Sequence, residues 1–180
     1  MRTIIIFIFI FAFLSPNTFS QQADWYSKIN ELKILSSSKQ DVMRVFGLER
    51  VFSINPEYYQ RSQWYFDFEG GSIEARFWDQ GPCRGIRATR HGFMFWNVPD
   101  DTLIAISFST GKVVISTDQL PFSIADFEIW DSYKPQTEYA SRERGIHVET
   151  DSTKRVQSIW FGPPSSMDYM LCPRDPDLID

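Results

Sequence analysis

"SQWYFDFEGGSIEARFWDQGPC", residues 62–83, is the stretch whose reading decides the fold. Trp64, Phe66 and Phe68 alternate with Tyr65 and Asp67, the period-two pattern of a strand with one buried face. Gly70-Gly71 is a turn dipeptide, and Ile73, Ala75 and Phe77 resume the alternation on the return. The stretch predicts a β-hairpin. Gly81-Pro82 stops its second strand just before Cys83.

Upstream, "SSSKQDVMRVFG" (36–47) predicts a short capped helix. The Ser38 hydroxyl can accept from free amides of the first turn, and Asp41 occupies the acidic position of a capping box. Val42, Val45 and Phe46 form one apolar stripe, and Gly47 suits the left-handed C-terminal cap. Before it, Trp25, Ile29, Leu32 and Leu35 are spaced roughly as on a helix, in a run short enough to serve equally as a strand-like lead.

Downstream, "DDTLIAISFSTGKVVISTDQL" (100–120) reads as a second hairpin turning at Thr110-Gly111-Lys112. Ile104, Ile106 and Phe108 would share one face, with Leu103, Ala105 and Ser107 opposite. "PFSIADFEIWD" (121–131) suggests one helical turn capped by Ser123. "GIHVETDSTKRVQSIWFGPP" (145–164) reads as a third hairpin turning at Asp151-Ser152. Ile146 and Val148 alternate on its first strand, Val156, Ser158 and Trp160 on its second, and Pro163-Pro164 ends it. The closing "DPDLID" (175–180) is an acidic tail expected to be disordered. The fold class is therefore α+β: short N-terminal helices packed on an antiparallel β-sheet built from hairpins, in one domain over 21–174.

The first 20 residues are set apart from that domain. Arg2 precedes an apolar run from Ile4 to Leu14, Ser15-Pro16 breaks it, and Thr18 and Ser20 are small residues ahead of Gln21. That is the layout of a secretory signal peptide. The run is too short to cross a bilayer, which takes about 20 residues, and no later segment is apolar enough to do so. A secreted or periplasmic location follows. The formal charge of −5 at pH 7 comes without a basic run, and argues against nucleic acid and anionic membrane surfaces as partners. Cys83 and Cys172 allow one intramolecular disulfide in an exported chain, with free thiols or an intermolecular bridge as the rival readings.

Catalytic motifs are missing from the sequence: it has no G-x-S-x-G, no H-E-x-x-H and no Gly-Lys phosphate loop. The two cysteines and two histidines lack zinc spacing, so neither a metal nor another cofactor is expected. His91 lies in a basic loop, and His147, between Ile146 and Val148, points away from both. Asp67 and Glu69 share a strand face without a third ligand at calcium-loop spacing. Arg84, Arg87 and Arg90 form a local positive patch, most simply a solvated loop. "GFMFWNVP" (92–99) places Phe93, Met94, Phe95 and Trp96 in a row. Four consecutive large apolar residues cannot all face one core, so Phe93, Phe95 and Trp96 are either packed under a loop or part of an exposed binding patch.

The ordered set "SSKQDVMRVFG" (37–47), "WDQGPC" (78–83), "WNVP" (96–99), "RERGI" (142–146), "RVQSI" (155–159) and "MLCP" (170–173) resembles an uncharacterised family of small secreted bacterial proteins of the Acidobacteria type. Its members read STRADVERLLG, YSSGPC, WNVP, EEGI, RVTSI and LRCP. Both cysteines match, and the resemblance implies that they pair. It transfers no catalytic residue, because the family carries no established activity. The helix and the hairpin after it are also distantly similar to SmpA/OmlA-type envelope domains, which assist outer-membrane protein assembly; that is an analogy of fold alone. The expected function is that of a non-enzymatic exported protein that binds an unknown protein or envelope component. A hydrolase assembled from sequence-distant residues and a purely structural domain are the alternatives. Intact-mass measurement of exported material should give an N-terminus at Gln21; a mass that retains Ile4 to Leu14 would refute signal cleavage.

Overall fold

The computed structural model describes residues 24–48, 52–53, 61–68, 70–79, 81–83, 95–131 and 136–173. The signal segment, Glu69, the Arg84–Arg90 patch, His91, Phe93, Met94 and the acidic tail lie outside the described residues. Two helices, α1 (Asp24–Asn30) and α2 (Lys39–Phe46), precede nine strands. These are β1 (Phe52–Ser53), β2 (Arg61–Phe68), β3 (Gly71–Trp78), β4 (Leu103–Ser109), β5 (Ile115–Ser116), β6 (Glu128–Asp131), β7 (Gln136–Ser141), β8 (Ile146–Asp151) and β9 (Arg155–Phe161). Short 3₁₀ turns cover Thr117–Gln119 and Ser165–Met170. The strands form one antiparallel sheet in the order β1-β2-β3-β4-β9-β8-β7-β6, with β5 beside β9. The fold is α+β, as the hydrophobic patterns predict.

The helix α2 is built as its sequence dictates. Asp41 N donates to Ser38 Oγ, Ser38 N donates to Asp41 Oδ2 at 2.8 Å, and Gly47 takes the left-handed cap at φ 65°. The Ser38 amide and hydroxyl bonds, with Arg44 beside them, hold the Asp41 carboxyl below its usual value. The helix is too short to stand alone, and Val42, Val45 and Phe46 bury against the sheet. Phe46 packs on Phe66 and Phe68 at 5.1 and 5.3 Å, and Trp25 of α1 stacks on Phe108 at 4.8 Å. The main core lies between these helices and one sheet face, with Ile73, Ala75, Phe77, Leu103, Ile106, Val148, Val156 and Ile159 inside it. A smaller core gathers Leu35, Trp78, Trp96, Val98 and Ile104. Cys83 and Cys172 are disulfide-bonded beside it, with a Cα–Cα distance of 5.7 Å and a sequence separation of 89. By chain entropy, a loop of that length gives about 4–5 kcal/mol of stabilisation.

Four sequence expectations change. In the first hairpin Phe68 pairs with Gly71, so Gly71 begins β3 rather than sitting in the turn. The second hairpin does not form: β4 is flanked by β3 and β9, so β5 cannot return along it and instead continues along the same edge of β9. Bulges then reset which face side chains occupy. Between Arg76 and Phe77 the register slips, placing Leu103 in the main core and Ile104 in the smaller one. On β9 the slip at Gln157 points Val156, Ile159 and Phe161 inward and Ser158 and Trp160 outward. Finally, Ser123 caps no helix; its hydroxyl accepts from Ala125 N in a turn that leads into strand β6.

Gly145 closes the β7–β8 turn at φ 65°, and a Cβ there would stand 2.3 Å from Gly162 O. Gly47 shares that φ but faces open space. Gly47→Ala should therefore cost about 1–2 kcal/mol, the left-handed penalty alone, and Gly145→Ala clearly more, as read from urea midpoints. Equal losses would show that the 145–162 approach does not constrain the fold.

Candidate functional site

The face of the sheet turned away from the helices carries the chemistry. Direct cross-strand neighbours form a row running Tyr65, Glu74, Ser107, Trp160, His147, Ala140, Glu128. The next row runs Asp67, Ser72, Ser109, Ser158, Glu149, Glu138, Trp130. Cross-strand neighbours on one face interact directly, so these rows are contact chains.

At one end, Arg76 Nε donates to Glu74 Oε1 at 2.5 Å while its guanidinium lies 4.3 Å from the Trp160 ring. A cation held both by a carboxylate and by an indole face is firmly fixed. Burial, and then the charge and hydrogen bond of Glu74, push the Tyr65 phenol above its usual value. Ser107 lies beneath, 1% exposed, with its Oγ unpartnered among the described residues. Further along, His147 Nε2 stands 3.3 Å from Glu138 Oε2, within ion-pair distance but outside hydrogen-bond geometry.

A cavity of about 590 Å³ opens on this face, lined by Ala105, Glu128, Trp130, His147, Trp160 and Pro163 among others. Trp130 and Trp160 are three strands apart, roughly 14 Å across a flat sheet. Both line the cavity, and the small Ala105 and Ala140 lie between and beside them in its lining. Trp130 is 58% exposed, with its Nε1 donating to Glu128 Oε2 at 3.4 Å. Arg142, also at the rim, pairs with Asp168 at 3.1 Å. A second hollow of about 580 Å³ is lined by the single segment Thr117–Ala125 and brings no other element's side chains together.

Ser107, His147 and Glu138 share the outer face but build no relay. Ser107 and His147 lie two strands apart, roughly 10 Å, with Trp160 between them. A nucleophile and its base must be within about 3 Å. Among the described residues, no group of three or more His, Cys, Asp or Glu side chains is placed to hold a metal ion, and no helix is long and apolar enough to cross a membrane.

The residues singled out from sequence fall in different places. Cys83 and Cys172 are joined. Trp96 is 5% exposed in the smaller core, and Phe95 is half-buried edge-on to Trp78 at 5.8 Å, so of the two roles open to them Trp96 takes the packed one. His147 does face away from Ile146 and Val148. Asp67 is exposed at the far end of the second row. Trp130, Trp160 and Arg76 carry no motif in the sequence, and strict alternation from a buried Val156 puts Trp160 on the core face, which the slip at Gln157 reverses. Comparison with known proteins finds no matching family model, no matching curated protein and no matching solved structure.

With its pKa raised in the fold, Tyr65 contributes stability that is present below the ordinary phenol range and lost as pH rises through the raised value. The absorbance titration of the native protein minus that of Tyr65→Phe should place this phenol above the usual tyrosine range, and Glu74→Gln should bring it part of the way down. No response to Glu74→Gln would leave burial as the sole cause.

Proposed function

We propose that this chain is an exported binding protein, with the cavity between Trp130 and Trp160 as its ligand site. The observation that carries the reading is that cavity: two indoles from distant strands converge on one hollow, and one of them is left largely exposed. Sites for small molecules are concave, largely apolar and aromatic, with a few fixed polar groups, and Glu128 and His147 supply those here. Exposed tryptophan is otherwise a poor choice for a surface facing water.

Export and envelope residence are supported by the Ile4–Leu14 segment with its small-residue cut site and by the Cys83–Cys172 bridge, a bond that persists in oxidising compartments. Membership of the small secreted bacterial family that the six ordered motifs resemble is part of the same proposal. The hydrolase alternative loses ground to the distance between Ser107 and His147.

The test is native isolation followed by organic extraction and mass spectrometry. Wild-type protein should yield a bound small molecule in near-stoichiometric amount, and Trp130→Ala and Trp160→Ala should lose it while melting within a few degrees of wild type. Equal recovery from all three would remove the cavity as the site.

A further inference from the structure

The last strand of the sheet, β6, presents a second feature that the cavity does not explain. None of the described residues pairs with its outer edge. An open edge is a template for another strand, and proteins ordinarily blunt it with charge, proline or a covering element. Here the middle of the edge is apolar on both faces. Ile129 and Trp130 are consecutive, so they point to opposite sides of the sheet, and they are 63% and 58% exposed. A ligand in the cavity would cover only the Trp130 side. A strand laid along β6 would cover both.

We propose that the β6 edge is a strand-addition site for an extended, basic segment of another protein. Charge selects the occupant. The strand reads Glu128-Ile129-Trp130-Asp131, with Glu138 directly across from Trp130 on β7; Asp126 just before it is taken up by Arg144 at 4.0 Å. A second copy paired antiparallel in the fully overlapped register would set Glu128 against the partner copy's Asp131 at both ends. Directly opposed like charges are destabilising, so the acidic ends act against self-pairing. The same positions favour a partner strand with Lys or Arg three residues apart and two apolar, β-branched residues between. Main-chain bonds would supply the affinity and these side chains the selectivity. The overall charge of −5 favours encounter with a basic partner.

The experiment uses the full mature chain and two labelled peptides, one centred on Lys-Val-Val-Lys and one on Glu-Val-Val-Glu, followed by fluorescence anisotropy. The basic peptide should bind at least tenfold tighter than the acidic one, and Ile129→Lys should weaken it by at least tenfold with the melting temperature retained. Trp160→Ala, which removes a cavity wall and not the edge, should leave peptide binding unchanged, so the cavity reading can fail without this one. Glu128→Lys should weaken the basic peptide and, by turning the self-opposed pairs attractive, bring a dimer into view in sedimentation velocity. Equal binding of both peptides, loss of binding in Trp160→Ala, or a wild-type dimer that Ile129→Lys dissociates would each overturn the proposal. The last of these would give the edge to a second copy.

Discussion

β9 is hydrogen-bonded along both edges, to β8 on one side and to β4 and then β5 on the other. Everything else depends on this strand, because it joins the sheet of the N-terminal half to that of the C-terminal half. Its bulge at Gln157 decides what each face contains. In an unbroken strand, a buried Val156 would bring Ser158 and Trp160 to the core and put Ile159 and Phe161 in water. The extra residue reverses the parity, so the core receives Val156, Ile159 and Phe161, and Trp160 becomes a wall of the cavity. The carbonyls at the irregularity are satisfied: Thr110 N donates to Gln157 O at 3.0 Å, and Thr110 Oγ1 to Val156 O at 2.9 Å. Thr110 is itself buried where the chain leaves β4 for β5, which is why those strands lie end to end along β9.

The helices are fixed to this sheet by backbone as well as by packing. Leu35 N donates to Leu103 O at 2.8 Å and Leu103 N to Ser37 O at 2.7 Å, so the segment just before the Ser38 cap of α2 pairs with the start of β4. Lys39 pairs with Asp101 at the same junction. The smaller core lies against this junction, and five buried side chains are few to hold it. The disulfide and two backbone bonds, Cys172 N to Phe95 O and Asn97 N to Met170 O at 2.8 Å each, bind the C-terminal segment over Trp96. The bridge thus closes a region where apolar burial alone is modest.

Local chemistry made the first hairpin, the caps of α2 and the class of fold readable from sequence. Trp64 to Phe77 alternate cleanly, and Ser38, Asp41 and Gly47 each have one physical use in that context. What could not be read was set by tertiary pairing. "EIWD" and "QTEYAS" become β6 and β7 although neither alternates between apolar and polar, because an edge strand and its half-buried neighbour need no apolar face. The two bulges move Leu103, Val156 and Trp160 to faces that strict alternation denies them. A run such as Phe93–Trp96 signals that something unusual is packed nearby without saying on which side. The cavity stayed hidden for the same reason: its walls come from strands whose neighbours are fixed only once β9 is in place.

The proposed binding reading rests on the outer face of the sheet. Its charged groups are largely matched to one another: Arg76 with Glu74, Arg142 with Asp168, Ser158 Oγ donating to Glu149 at 3.0 Å. Groups already paired are held in place and lose that pairing if asked to take up or release a proton. What they leave unmatched are surfaces, the exposed indole of Trp130 and the apolar floor between it and Trp160. For the proposed ligand, a polar frame already held in place by these pairs lowers the ordering cost of binding. Among the described residues, the buried Ser107 hydroxyl has Trp160 between it and His147, and its direct cross-strand neighbour Glu74 is already engaged by Arg76.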